Sequence, residues 1–127
     1  MTQGCTTPRP GTTALVVADA AGVICCWDGG AEALTGHAAA TALGRSLDLI
    51  VPPEYRQRHW NGFRAAMDSG RARFEGASAN LPVLCADGMT RRWPARFSLI
   101  RDARGRPAGV AAVLVTPAEG DPQLPDL

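Results

Sequence analysis

The chain has 127 residues, 13 Lys+Arg against 12 Asp+Glu, a formal charge of +1, 46% hydrophobic and 20% charged residues. That length holds one core and no second domain of useful size. A net charge this small excludes recruitment of nucleic acid or an anionic membrane by long-range field, and no apolar run approaches the roughly 18 to 20 residues that span a bilayer. The start, Met1 to Gly11, is polar and Pro-bearing, without the charged-then-apolar order of a secretion signal. The expectation is a cytoplasmic single domain with neither nucleic acid nor membrane as partner.

In chain order, Ala14 to Ala18 is a short apolar run closed by Asp19-Ala-Ala-Gly22, and Val23 to Trp27 is a second run. Two such runs around an Asp/Gly turn predict a β-hairpin. From Gly30 to Ile50 the chain is Ala-rich and interrupted by Gly36 and Gly44, which predicts two or three very short helices. Pro53-Glu54 then opens a longer helix, because Pro is tolerated in the first turn and Glu suits the N-terminal dipole. Gly70 stops it after Ser69.

The periodicity of that helix carries the most information. At about 100° per residue, Tyr55, His59, Trp60, Phe63, Ala66 and Met67 share an arc of roughly 140°. His59 is thus expected to face the apolar side. Gly62, Ala65 and Ala66, one turn on, suggest room beside it, since a closely packed core favours larger side chains.

Leu81 to Cys85, the turn Ala86 to Met89, and Arg91 to Ile100 predict a second hairpin. Trp93, Ala95, Phe97 and Leu99 alternate with Pro94, Arg96 and Ser98, leaving one apolar face. Ala108 to Val115 is apolar enough for the centre of a sheet, and the tail from Pro117 is Pro-rich and acidic, the composition of a disordered segment. This order predicts an α+β domain, an antiparallel sheet with helices on one face. Its pocket is expected between the long helix and the apolar face of the sheet.

No catalytic set stands out, so no enzyme activity is expected. Asp19, Asp28, Asp87 and Asp102 sit at turns, where Asp bonds local backbone. The cysteines Cys5, Cys25, Cys26 and Cys85 form no C-x-x-C pair, which leaves them as structural thiols. His37, beside Gly36, is expected to be exposed and structural. The arginines Arg91, Arg92, Arg96, Arg101, Arg104 and Arg106 read as a solvated basic strip.

Several fragments together resemble the PAS sensor family. They are Val17 to Ile24, Ala33-Leu-Thr-Gly-His37, Leu43-Gly-Arg-Ser46, Ile50-Val-Pro52, Asp87-Gly88 and Arg101 to Val110. The resemblance implies a five-stranded antiparallel sheet with short helices and one longer helix packed on one face. It also implies a sensor domain over 14–116, between a flexible tail at 1–13 and a disordered tail at 117–127.

Within that family, Pro53 to Phe63 is similar to the long helix of the haem-binding oxygen-sensor kinases of rhizobia, where an R-x-R-H segment offers its histidine to haem iron. The matching segment here is Arg56-Gln-Arg-His59. The resemblance implies haem b with His59 as the metal ligand, and Arg73 near a propionate. Distal positions fall on Phe74, Ala95 and Phe97, and Ala79 stands where those sensors carry the arginine that contacts oxygen. Tyr55 and Phe63, on the inward arc, complete the candidate cofactor-binding set. Met89 and Cys85 are possible sixth ligands, since thioether and thiolate both bind haem iron, and both also suit a plain hairpin.

The resulting expectation is a sensor that reports a small diatomic ligand (O2, CO or NO) or a redox state by conformational change. It would act as a homodimer on an unknown protein partner that carries the output. The alternatives are a cofactor-free dimerisation and protein-interaction module, or a pocket for a small organic ligand.

Overall fold

The computed structural model describes residues 11–72, 75–117, 120–121 and 123–126. Arg73, Phe74 and Cys5 lie outside the described residues, so the propionate and distal roles expected of Arg73 and Phe74 find no placement.

The first hairpin pairs β1 (Thr13–Asp19) with β2 (Ile24–Trp27). Its turn is built by Asp19, whose Oδ1 accepts from the N–H groups of Ala21 and Val23 at 2.9 and 3.0 Å. Gly22 completes it at φ +80°, a conformation that side chains other than glycine resist. Three short helical segments follow: α1 (Gly29–Thr35), α2 (Ala39–Ala42) and a 3-10 turn at Leu47–Leu49. Asp28 caps α1 by accepting from the Ala31 N–H at 2.8 Å. A Cβ at Gly30 would overlap the Thr13 carbonyl oxygen, so glycine is what lets α1 lie directly on β1.

Pro53–Tyr55 is a 3-10 turn, and α3 runs over Arg56–Ser69 to a left-handed Gly70. The helix thus begins three residues later than the Pro53 start that the sequence predicts. Tyr55 N–H bonds back to the Pro52 carbonyl at 2.9 Å, the tighter pattern of a 3-10 turn.

β3 (Ser78–Leu84), β4 (Thr90–Arg101) and β5 (Pro107–Val115) complete the sheet. All neighbours are antiparallel in the order β2-β1-β5-β4-β3, with β5 at the centre as its composition predicts. β3 starts earlier than Leu81 because Ser78, Ala79 and Asn80 already pair with Arg96, Ala95 and Pro94.

One face of the sheet and the helical layer enclose the core. Ala14, Val16, Ala18, Val83, Ala95 and Leu114 come from the sheet, while Ala31, Leu34, Ala42, Leu47, Ile50 and Phe63 come from the helical side. The fold class is therefore the expected one, an α+β domain with a five-stranded sheet.

Two features mark the outer edge at β3. Leu84 N–H bonds to the Ile50 carbonyl at 2.8 Å, and Asn80 N–H bonds to the Pro125 carbonyl at 2.8 Å. The Asn80 amide also donates to the Leu124 carbonyl at 3.0 Å and to Asp126 at 3.2 Å. Residues 124–126, in the segment whose composition suggests disorder, thus lie along β3.

Candidate functional site

α3 presents Phe63 and Ala66 to the core, with Tyr55, His59, Trp60 and Met67 half-buried beside them. This is the arc that the periodicity predicts. Gly62 and Ala65 are exposed instead, four and seven residues beyond the exposed Arg58 and on its side of the helix. Nothing lies within 4 Å of where a Gly62 Cβ would be. The room expected beside His59 from these small residues is open solvent.

His59 lies in an aromatic cluster. Its ring meets Trp60 edge-on at 4.7 Å between centroids and Phe63 at 6.0 Å. Trp60 in turn donates from Nε1 to the Asp48 carboxylate at 2.7 Å and lies against the Gly22 backbone. Burial pushes the His59 pKa down, with only partial opposition from the Asp48 charge, so the imidazole is neutral near pH 7. His59 Nδ1 is buried with no hydrogen-bond partner.

The sheet supplies the facing wall. Ala79 and Ala95 are register partners, and Ala95 and Phe97 lie beside Leu114 and Ala112 of β5. Trp93 shares their face, and its Nε1 is a second buried donor without a partner. Tyr55 sits at the end of this layer, its hydroxyl accepting from Arg92 Nη2 at 2.8 Å. His59 and Phe63 therefore lie on the helix and Ala95 and Phe97 on the sheet, as the sequence assigns them, while Ala79 joins β3 ahead of the Leu81 start and Tyr55 falls in the 3-10 turn before α3.

A neutral imidazole on this helix is the right donor for a haem iron. The surroundings fit the group poorly. An axial histidine uses one nitrogen for iron and needs an acceptor for its other N–H, and buried Nδ1 has none among the described residues. Trp60 and Phe63 close on the ring, and Ala79 and Ala95 are only 8% and 3% exposed, so protein atoms already cover the surfaces expected to face a porphyrin. No cluster of three or more His, Cys, Asp or Glu side chains suited to a metal ion occurs among the described residues.

An open cleft of about 510 Å³ lies elsewhere, lined among others by His37, Arg45, Asp48, Arg56, Leu84 and Cys85. Of the residues the sequence offers for a cofactor, Cys85, a candidate sixth ligand, is in its lining, and His59, Tyr55, Phe63, Ala79, Ala95 and Phe97 are not. His37, expected to be exposed, is half-buried, and its Nε2 is buried without a partner. Met89 is exposed and Cys85 is buried with its thiol on the Leu34 and Val83 carbonyls, so both serve the hairpin.

The turn aspartates act locally as predicted. Asp87 and Asp102 accept from nearby backbone N–H groups and pair with Arg91 and Arg106. Arg92 and Arg101 also lie within ion-pair distance of Asp126 and Glu75, which neutralises much of the basic strip. No helix among the described residues is long and apolar enough to cross a membrane.

Comparison with known proteins follows the same lines. A protein of Azorhizobium caulinodans described as uncharacterized is 34% identical over 76 residues, which cover 59% of this chain. That match spans only 10% of the relative's length. Among solved structures, the PAS domain of a protein from Colwellia psychrerythraea superposes with a TM-score of 0.69 at 19% identity, covering 81% of this chain and 84% of that one. The PAS domain of the RpfR quorum-sensing receptor of Cronobacter turicensis, in complex with BDSF, gives a TM-score of 0.65 at 13% identity, covering 85% and 96%. At these identities the likeness is one of fold. The family model described as PAS fold matches residues 12–119, nearly all of the described chain, and the chain belongs to the PAS family.

Proposed function

We propose that this PAS sensory domain takes a small organic ligand between α3 and the inner face of the sheet. The observation that carries the reading is a pair of buried polar atoms without partners in that region, His59 Nδ1 on α3 and Trp93 Nε1 on β4. Each buried orphan costs about 1–3 kcal/mol. A molecule offering an oxygen acceptor to the Trp93 N–H, together with apolar surface for Phe63 and Phe97, would offset that cost. Structural neighbours that hold small molecules, such as the RpfR domain with BDSF, support the same class of ligand.

Ligand entry would displace α3 relative to the sheet and so alter a surface read by a partner. The outer face of the sheet, where Val113 is exposed, is the surface we assign to a second copy in a homodimer. Haem b on His59, answering to a diatomic gas or a redox state, is the competing reading. Its support is the neutral, half-buried imidazole, and it requires the Trp60 and Phe63 rings, on the same helix, to turn away from the imidazole.

The test is to purify the protein, unfold it and identify what is released by mass spectrometry, with an absorption spectrum taken first. An organic molecule retained by the parent and lost in Trp93→Phe supports the proposal. A Soret band that disappears in His59→Ala replaces it with the haem reading. A colourless protein that releases nothing, and whose melting temperature no member of a fatty-acid and aromatic-acid panel raises, overturns both.

A further inference from the structure

We propose that the open cleft between the α1–α2 connection, the Leu47–Leu49 turn and the β3–β4 turn binds a small oxyanion, a carboxylate or a phosphate, with Arg45 and His37 as its donors. This site shares no residue with the proposed pocket under α3, and it stands or falls separately.

Most polar side chains of the cleft are already engaged, Ser46 among them, whose Oγ accepts from the Asp48 N–H at 3.1 Å. Asp48 is engaged: its carboxylate accepts from Trp60 Nε1 at 2.7 Å and faces Arg56 at 3.8 Å. Arg56 is engaged as well, donating from Nε to the Val51 carbonyl at 3.0 Å and from Nη2 to the Asp48 carbonyl at 3.2 Å. Cys85 is turned to backbone carbonyls and offers an apolar wall. The two remaining groups are different. The Arg45 guanidinium has no ion pair or hydrogen bond among the described residues, and His37 Nε2 is buried and orphaned. Two cations against one paired carboxylate leave the cleft with an excess of positive charge.

The donors are also held in place. The His37 carbonyl accepts from Trp27 Nε1 at 3.0 Å, and its N–H bonds Thr35 Oγ1 at 3.1 Å, so the backbone under the imidazole is pinned from both sides. Arg45 is fixed by its own backbone, which accepts from the Ile24 N–H at 2.8 Å and donates to the Ala42 carbonyl at 3.0 Å. A guanidinium beside an imidazole is a pair suited to an oxyanion, because both donate and the charge-assisted bonds are strong. About 510 Å³ is within the range of metabolite-sized sites.

The geometry carries a proton linkage. Without ligand, burial above all, and the Arg45 charge with it, hold the His37 pKa below its ordinary value, the Leu84 backbone opposing them in part. The titratable and charged groups around the cleft are Arg45, Asp48, Arg56 and Cys85. An anion placed beside the imidazole favours its charged form, so binding takes up a proton and tightens as pH falls.

The test uses the full chain, with inorganic phosphate and butyrate as probes, followed by amide NMR at pH 7.5 and 6.0. Saturable shifts at Arg45, Ser46 and Gly88 are expected with at least one probe, and which probe acts tells phosphate from carboxylate. Arg45→Gln should weaken binding about tenfold, as expected on losing a charge-assisted donor. In His37→Gln, which keeps an amide donor but does not titrate, the tightening at pH 6.0 should vanish. The proposal is overturned if neither probe saturates, or if both variants titrate like the parent.

Discussion

Asp28 is where one side chain joins the sheet to the helical layer. Its Oδ1 accepts from the Ala31 N–H at 2.8 Å, capping α1, and from the Leu15 N–H at 3.1 Å, extending the β1–β2 ladder by one rung beyond Trp27. Asp28→Ala removes both bonds. Loss of the cap costs about 0.5–2 kcal/mol, and the partly buried Leu15 N–H left without an acceptor costs about 1–3 kcal/mol. Together the loss is about 1.5–5 kcal/mol, and at about 4 °C per kcal/mol for a domain of this size the melting temperature falls by about 6–20 °C. Asp28→Asn keeps an oxygen in the same place and should lose less than about 1 kcal/mol. Urea and thermal unfolding followed by circular dichroism measure both. An alanine variant within about 0.5 kcal/mol of the parent, or an asparagine variant as unstable as alanine, would refute the double role.

Acid should destabilise the fold through its histidines. Burial lowers the pKa of both His59 and His37 in the folded chain, so the unfolded chain binds more protons. Their stabilisation is present above the ordinary histidine range and is lost as pH falls through the lowered values. Melting temperatures between about pH 7.5 and 5 should decline, less steeply in a His37→Gln, His59→Gln double variant; equal slopes would remove the histidines as the cause. Trp60→Phe keeps the ring stack on His59 and Phe63 but loses the indole bond to Asp48. Since the Asp48 side chain is 45% exposed, the cost is about 1 kcal/mol. Unfolding in urea checks this, and an unchanged midpoint counts against the bond.

What the sequence discloses here is whatever repeats at short range. The apolar arc of α3, the alternation along β4, the central place of β5 and the turn aspartates all depend on neighbours within a few residues. The same local reasoning fails at Gly62 and Ala65. Small size alone does not separate a helix face that makes room for a ligand from one that meets water, and the exposed Arg58 on their side is the signal that settles it. His37 is misread for a different reason. Its neighbours include Trp27, Arg45 and Leu84, which are brought together only when the helical layer folds over the end of β3. No spacing in the chain announces that meeting. The packing of Trp60 against Gly22 and Asp48 is equally non-local, and it occupies space beside His59 that the periodicity leaves open.

The outer strand β3 has a consequence for how this sheet meets other chains. An edge strand normally offers a row of free amides on which a foreign strand can nucleate, the first step toward aggregation. Along β3 the outward positions alternate through Asn80, Pro82 and Leu84. The Asn80 amide is taken by the Pro125 carbonyl, Pro82 has no N–H to give, and the Leu84 amide is taken by Ile50. Three successive rungs are thereby closed by three different means. A strand arriving from another molecule would find no continuous run to zip against. Peeling back residues 124–126 would reopen only the Asn80 rung, because proline and the Ile50 carbonyl still interrupt the rest.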